Sequence, residues 1–435
     1  MRKLRVLALV TPLNRLTLTR LLAVFVLLLV LRTLLGSTYR AATTSTGIYG
    51  VDFEPTYAAA TRLNQGVPLY SEEPDAKSTG RLLCQFPSSP FVPMLVRPLA
   101  HLPLADATRT WVAVNVILLA LSAFLFCWGS RIHLLDSTLA VLLVIFTGFR
   151  FWPTTIEVAI ANNDILLLAS VCGMIVCHRF GRWWLLALLI ALAALVKTWM
   201  LGMIFPLLVA RRWREAGGAV GFFIAGLAVL FSIARWEMFP IFVAITRLYS
   251  SQPLLVSNSV AGMAGMFFAE NHHMTPWFPH VGAWLAAMIL GYGTLLGGLW
   301  MMWVRGPRMT VQQRQLGLAL SALALVLGSP VSHLLYFVLT LPVIWTLLCV
   351  PWGGAHRLIA PAFAFVVYFI LSVPSPCLTP LPESCRTGLR SVLVTMTFLP
   401  SFLLWIYGVA LACRREAEQV CPSSRPAAQA ELLCT

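Results

Sequence analysis

Long apolar runs separated by short charged punctuation dominate this chain. A helix that crosses a bilayer needs roughly 20 apolar residues, and continuous runs of this kind mark such helices. Roughly twelve spans are expected on this pattern, at residues 21–35, 110–127, 137–151, 164–176, 184–196, 200–209, 217–233, 281–303, 316–327, 334–350, 359–373 and 392–411. Several are short for a full crossing, so tilt or re-entrant geometry is expected in places. The runs do not alternate every second residue, which sets barrel strands aside. The expected fold class is therefore an all-α polytopic membrane protein. No internal repeat is visible, which argues against a transporter built from inverted halves.

Composition supports the same class. Of 435 residues, 59% are hydrophobic and only 11% charged, too much apolar surface for a soluble chain to hide. The net charge of +15 raises a nucleic-acid reading, but the basic residues form no single patch. They sit in short clusters between spans, as cytoplasmic loops do. Arg2, Lys3, Arg5, Arg15 and Arg20 precede the first span; Arg131, Arg179 and Arg182, Arg211 to Arg214, Arg305 to Arg314, Arg357, and Arg414 with Arg415 follow in alternate loops. Both termini are thus expected in the cytoplasm of a cell inner (plasma) membrane protein. Two long loops, 36–109 and 235–280, are expected outside, lying along the interface as short helices. The basic N-terminus lacks a convincing cleavage site and reads as an uncleaved signal anchor. One transmembrane domain over 1–415 is expected, then a disordered cytoplasmic tail over 416–435.

Only 16 residues are acidic, and half of them fall in the two external loops, among them Asp52, Glu54, Glu72, Glu73, Asp75, Glu237 and Glu270. Asp52 stands out because it lies at the lip of the first span, where a carboxylate is expensive to hold. Two readings stand: a general base that takes a proton from an acceptor hydroxyl, or a loop acid solvated by headgroup water. Glu54 shares a face with Asp52 if the segment is extended and points away if it is helical. Lys197 lies inside LAALVKTWMLGM with no acid nearby in sequence. It either meets a phosphate at membrane depth or snorkels to an interface beside Trp199. Asn162, Asn163 and Asp164 open a span, either as an N-cap or as a polar shelf for sugar or phosphate; Glu157 close by is equally open. His333 and Tyr336 stand in GSPVSHLLY at an outer boundary, where the histidine is a structural hydrogen-bonder or a phosphate contact. His272 and His273 are adjacent and face different ways, so no metal is expected there. Arg62, Arg81, Arg97 and Arg247 are external cations, read mostly as interface anchors. Cys172 and Cys177 are expected to pack in a span, while Cys377 and Cys385 flank an external loop where a disulfide is open. No phosphate-binding glycine loop, nucleophile elbow or HExxH is present. An activated substrate would therefore be lipid-borne.

Five segments, in order, resemble glycosyltransferase family 87: VDFEPTYAAATRLNQGVPLY, FPSSPFVPMLVRPLAHLPLADATRTWVAVN, ANNDILLL, LAALVKTWMLGMIFPLLVARRWR and SPVSHLLYFVLTLP. The third lacks the family's usual glycine–glutamine pair, and Met200 stands where proline is common. The resemblance implies the C-type glycosyltransferase fold and an inverting transfer from a polyprenyl-monophosphate sugar, most plausibly mannose, to a hydroxyl of a glycolipid or glycan. It implies Asp52 as general base, His333 near the donor phosphate and Lys197 in the donor pocket. Tyr57 and Asn163 match recurrent positions without an assigned role; Glu54 and Tyr336 complete the expected substrate-binding set. No cofactor, metal or nucleic acid is expected; the partners are the two substrates and membrane lipid. The rival readings are a transporter or flippase of a lipid-linked sugar and a non-catalytic scaffold subunit.

Overall fold

The computed structural model describes residues 49–70, 89–132, 138–251, 257–269, 276, 278–330, 332–373 and 383–414. The expected first span, the N-terminal basic residues, Glu72, Glu73, Asp75, Arg81, Glu270, His272, His273, Cys377, the side chain of Cys385 and the tail over 416–435 lie outside the described residues.

The described chain is helical throughout its regular structure. Two interfacial-length helices come first, α1 (Phe53–Asn64) and α2 (Phe91–Val96). Then follow α3 (Leu104–Gly129), α4 (Thr138–Arg150), α5 (Trp152–Ile160), α6 (Asp164–Arg179), α7 (Trp183–Val196) and α8 (Phe205–Val209). Next are α9 (Trp213–Ala234), α10 (Met238–Ser251), α11 (Val260–Phe268), α12 (Val281–Arg305) and α13 (Val311–Gly328). The last three are α14 (Leu341–Cys349), α15 (His356–Leu371) and α16 (Glu383–Ala412).

Each described apolar run is helical, but several are broken. Four helical stretches are long and apolar enough to cross a membrane: Leu104–Gly129, Trp213–Ala234, Val281–Arg308 and Thr395–Ala412. Counting the bent pair α4 and α5, which meet at 53°, makes five. The other runs are shorter or subdivided. Proline explains three breaks. Pro153 opens α5 directly after the bend, and Pro206 and Pro342 open α8 and α14 after the tight 3-10 turns Thr198–Ile204 and Leu334–Thr340. A proline at the first turn lacks only an N–H that a helix start leaves unpaired anyway, so the chain restarts there instead of continuing straight. The runs at 200–209 and 334–350 are thus each a 3-10 turn joined to a short helix.

Local chemistry sets other boundaries. Thr310 and Gln313 form a reciprocal capping box at the head of α13. Helices α6 and α7 form an antiparallel hairpin turned by Phe180, Gly181 and Arg182, with Gly181 at φ +63°. A left-handed residue at that position is what glycine accommodates without strain. Cys172 and Cys177 are buried free thiols on α6, as the apolar run implies.

The core runs through α3, α6, α7, α13 and α14. Trp345 is fully buried, with its indole N–H donating to Thr147 Oγ1 at 2.9 Å and its ring 5.2 Å from Phe126. The outer helices bury little. On α12, Ile289 and Leu290 are 69% and 70% exposed, and on α15 Leu358 is 77% exposed. Such faces suit acyl chains rather than water, which agrees with a multi-pass membrane protein.

Candidate active site

The hairpin of α6 and α7 decides where the intramembrane charges meet. Asp164 is the first residue of α6, and Lys197 follows the last residue of α7. The two helices are 16 and 14 residues long and antiparallel, so both ionic groups arrive at the same end. Lys197 Nζ lies 2.5 Å from Asp164 Oδ1. The lysine side chain is 13% exposed and the aspartate fully buried. Lys197 therefore does not snorkel to an interface. Its ammonium is matched on one side by a carboxylate and on the other by the Tyr336 ring, whose centroid is 3.8 Å away.

Tyr336 is fixed in turn by aromatic neighbours. Trp199 lies 5.6 Å from it, and His333 meets it edge-on at 5.7 Å. His333 stands immediately before the 3-10 turn Leu334–Thr340, which packs against α5, α6 and α13. Just ahead of it, the Ser332 N–H donates to Ser257 Oγ at 3.0 Å, and the Asn258 N–H donates to the Ser332 carbonyl at 2.6 Å. A strap at 257–259 thereby ties the histidine loop to α11.

Glu157 takes the capping role that the sequence offered to Asn162, Asn163 or Asp164. Its Oε1 accepts from the Asp164 N–H at 2.5 Å, while Asn163, in the N-cap position, makes no side-chain cap. A carboxylate there also faces the positive end of the helix dipole. Asn115 steadies the same turn by donating to the Asn162 carbonyl at 2.9 Å. Glu157 Oε2, Asp164 Oδ2 and Asn163 Oδ1 are buried without a hydrogen-bond donor among the described residues. Buried acceptors left open in this way are unusual and concentrate where ligands bind.

Asp52 reaches this end from another part of the chain. It sits in the turn ahead of α1, outside the spanning helices. The Gly50 and Asp52 N–H groups donate to the Ala159 and Ile160 carbonyls at 3.1 and 3.2 Å, which pins the turn to the end of α5. The Gly50 carbonyl accepts from Phe53 and Glu54, starting α1. Burial pushes the Asp52 carboxyl up to about 6; Lys197 pulls it down and Asp164 pushes it up further. Asp52 is thus within electrostatic reach of the ion pair and poised to exchange a proton near neutral pH.

Not every residue singled out in the sequence joins the cluster. Helix α1 begins at Phe53, so Glu54 lies on its first turn and is exposed, pointing away as the helical alternative required. The Tyr57 hydroxyl donates to the Leu102 carbonyl at 2.7 Å, and Phe53 stacks on Trp111. Both residues anchor α1 against the 97–102 segment and α3. Arg97 is engaged by Asn64 Oδ1 at 2.7 Å. Asp52, Lys197, His333, Tyr336 and Asn163 do come together, joined by Asp164 and Glu157. A water-sized cavity lined by His178, Arg314 and Ser321 touches none of them. Among the described residues no group of three or more His, Cys, Asp or Glu side chains is arranged to hold a metal.

Gly50 makes the Asp52 turn possible. Its φ is +71°, and a Cβ there would sit 2.6 Å from Thr108 Cγ2. Gly50→Ala is expected to cost about 1–2 kcal/mol in backbone strain and to shift Asp52. A displacement near 1 Å lowers turnover on the order of 100-fold. Adding Thr108→Ala removes the clash but not the strain, so partial recovery of kcat in the double variant is the expected result. Unchanged turnover in Gly50→Ala would dissociate this turn from catalysis.

The pairing partner was the piece that sequence reading missed. Lys197 shows no acid near it in sequence, yet Asp164 heads the preceding apolar run. Opposite charges in neighbouring membrane segments usually pair, and the near-equal apolar runs on either side of Arg179–Arg182 would have joined these two.

Comparison with known proteins gives the arrangement its family. Residues 86–330 match glycosyltransferase family 87. That region contains Glu157, Asn163, Asp164 and Lys197; Asp52 and His333 lie outside it. Over 376 residues the chain is 24% identical to the alpha-(1->3)-arabinofuranosyltransferase of Corynebacterium glutamicum, covering 82% of each protein. Since the family match spans more than half of the chain and takes in the buried ion pair, the chain belongs to glycosyltransferase family 87.

Proposed function

We propose that this glycosyltransferase is inverting, adopts the C-type glycosyltransferase fold with about twelve membrane passages, and takes its sugar from a polyprenyl monophosphate. The acceptor is a hydroxyl of a glycolipid or glycan on the external face of the plasma membrane, and both termini are cytoplasmic. One observation carries the reading: Lys197, locked between Asp164 and Tyr336, shares one end of the helix bundle with Asp52.

Asp52 accepts the acceptor's proton as that oxygen attacks the anomeric carbon. The bond from that carbon to the phosphate oxygen breaks, and its electron pair leaves with the lipid phosphate. Lys197 stabilises the charge that develops there, with His333 beside it. The lipid tail stays among apolar helices such as α12 and α15, whose outer faces are exposed. Mannose is the sugar implied by resemblance; the relative's name adds arabinofuranose as a competitor.

The test is transfer of radiolabelled sugar in detergent, from polyprenyl-phosphate mannose and polyprenyl-phosphate arabinose in parallel. Label should pass to a glycolipid or glycan acceptor with inverted anomeric configuration. Transport of intact donor without transfer would favour a flippase and end this reading.

A further inference from the structure

The ion pair carries an implication for product release, and this inference rests on the donor reading above. The ammonium of Lys197 is already matched within the protein, by Asp164 and the Tyr336 ring. Asp52 adds a second carboxylate within reach of the same lysine. Glu157, capping the Asp164 turn, adds a third carboxyl group.

A phosphodiester donor carries one negative charge. Once the bond to the sugar breaks, the lipid phosphate is a monoester and carries nearly two. A lysine without a counter-ion in a low-dielectric site would therefore hold the product more strongly than the donor. We infer that Asp164 is a positioning counter-ion that holds Lys197 in place between turnovers and competes with the lipid phosphate for it, so that the product leaves.

Three features of the geometry support this role. Among the described residues the Asp164 carboxylate has no cation at hydrogen-bond distance other than Lys197, and its second oxygen accepts no hydrogen bond. Its backbone N–H is capped by Glu157 rather than by its own side chain, which leaves the Asp164 carboxylate to the lysine. The lysine keeps the Tyr336 face as a second support when the carboxylate yields.

The experiment measures equilibrium binding of a short-chain polyprenyl monophosphate in detergent micelles, with inorganic phosphate as the control ligand. Asp164→Asn is expected to bind the lipid phosphate about tenfold more tightly, since one charge contact of this kind is worth roughly a factor of ten. In turnover the same variant should show a lower KM for donor, a lower kcat and stronger product inhibition. Its rate should also rise at lower pH than the wild type, because Asp164 no longer pushes the Asp52 carboxyl up. A merely structural role would raise KM and leave product inhibition unchanged.

The double variant Asp164→Asn/Lys197→Ala removes both charges and strands neither, which protects against misfolding of either single change. It should bind the lipid phosphate more weakly than wild type. Equal or weaker binding by Asp164→Asn overturns the inference, as does a double variant that binds as tightly as Asp164→Asn. The binding assay needs no turnover, so its failure leaves the Asp52 reading standing, and an active Asp52→Asn enzyme leaves this inference standing.

Discussion

Asp52→Asn, purified in detergent, is expected to fold and insert normally and to lose transfer activity by roughly 100- to 10,000-fold, the usual contribution of a general base. Stability should not fall with it. The Asp52 carboxyl is pushed up to about 6 in the folded protein, mainly by burial. A raised carboxyl stabilises the fold only while protonated, fully below its unfolded value near 4 and no longer above about 6. At neutral pH the ionised group therefore favours the fold less than a neutral amide would, and the variant's melting temperature should hold or rise. The catalytic sign is opposite, because only the ionised form can accept a proton. Wild-type kcat/KM should climb as pH rises through about 6, and any residual rate of the variant should lack that limb. Near-normal turnover in Asp52→Asn, or a wild-type profile flat across that range, would remove Asp52 as the base.

How much of this was readable in the chain differs by element. The bilayer demands long apolar runs, so runs such as 217–233 and 281–303 announce α9 and α12 to within four residues at either end. Breaks were harder to see. Pro153, Pro206 and Pro342 interrupt apolar stretches that hydropathy alone reads as continuous, and Lys197 leaves α7 in an extended conformation before the 3-10 turn. Hydropathy averages over a window, whereas a missing N–H acts at one residue.

The site shows the same division. Asp52, Lys197 and His333 were visible as polar groups in costly places, and resemblance gave them roles. Their geometry came from elsewhere. Asp52 is held by the carbonyls of Ala159 and Ile160, and backbone bonds leave no mark in side-chain identity. Glu157 displaced the expected cap because the left-handed residue Ala161, at φ +58°, brings α5 back toward the head of α6. Tyr57, which occupies a recurrent position, has its hydroxyl engaged by Leu102. A match in sequence could not distinguish such an anchor from a substrate contact.

Lys197→Ala should produce two separable effects. The first is on stability: with the ammonium gone, Asp164 is a fully buried carboxylate facing no cation among the described residues. Breaking a buried pair by removing one partner costs about 3–5 kcal/mol, so a clear drop in melting temperature is expected. The second is on donor use, because the proposed phosphate contact is absent. The two are resolved by the double variant Asp164→Asn/Lys197→Ala, which removes both members of the pair and strands neither. Its melting temperature should recover toward wild type while its activity with lipid-linked donor does not. Apparent affinity for the donor should fall much more than affinity for the acceptor, since in the proposed mechanism the acceptor's hydroxyl meets Asp52 on the other side of the reacting carbon. Recovery of both stability and transfer in the double variant would make Lys197 a structural partner of Asp164 alone. Equal losses for donor and acceptor would also count against a phosphate contact, because a cation that meets only one substrate cannot weaken both alike.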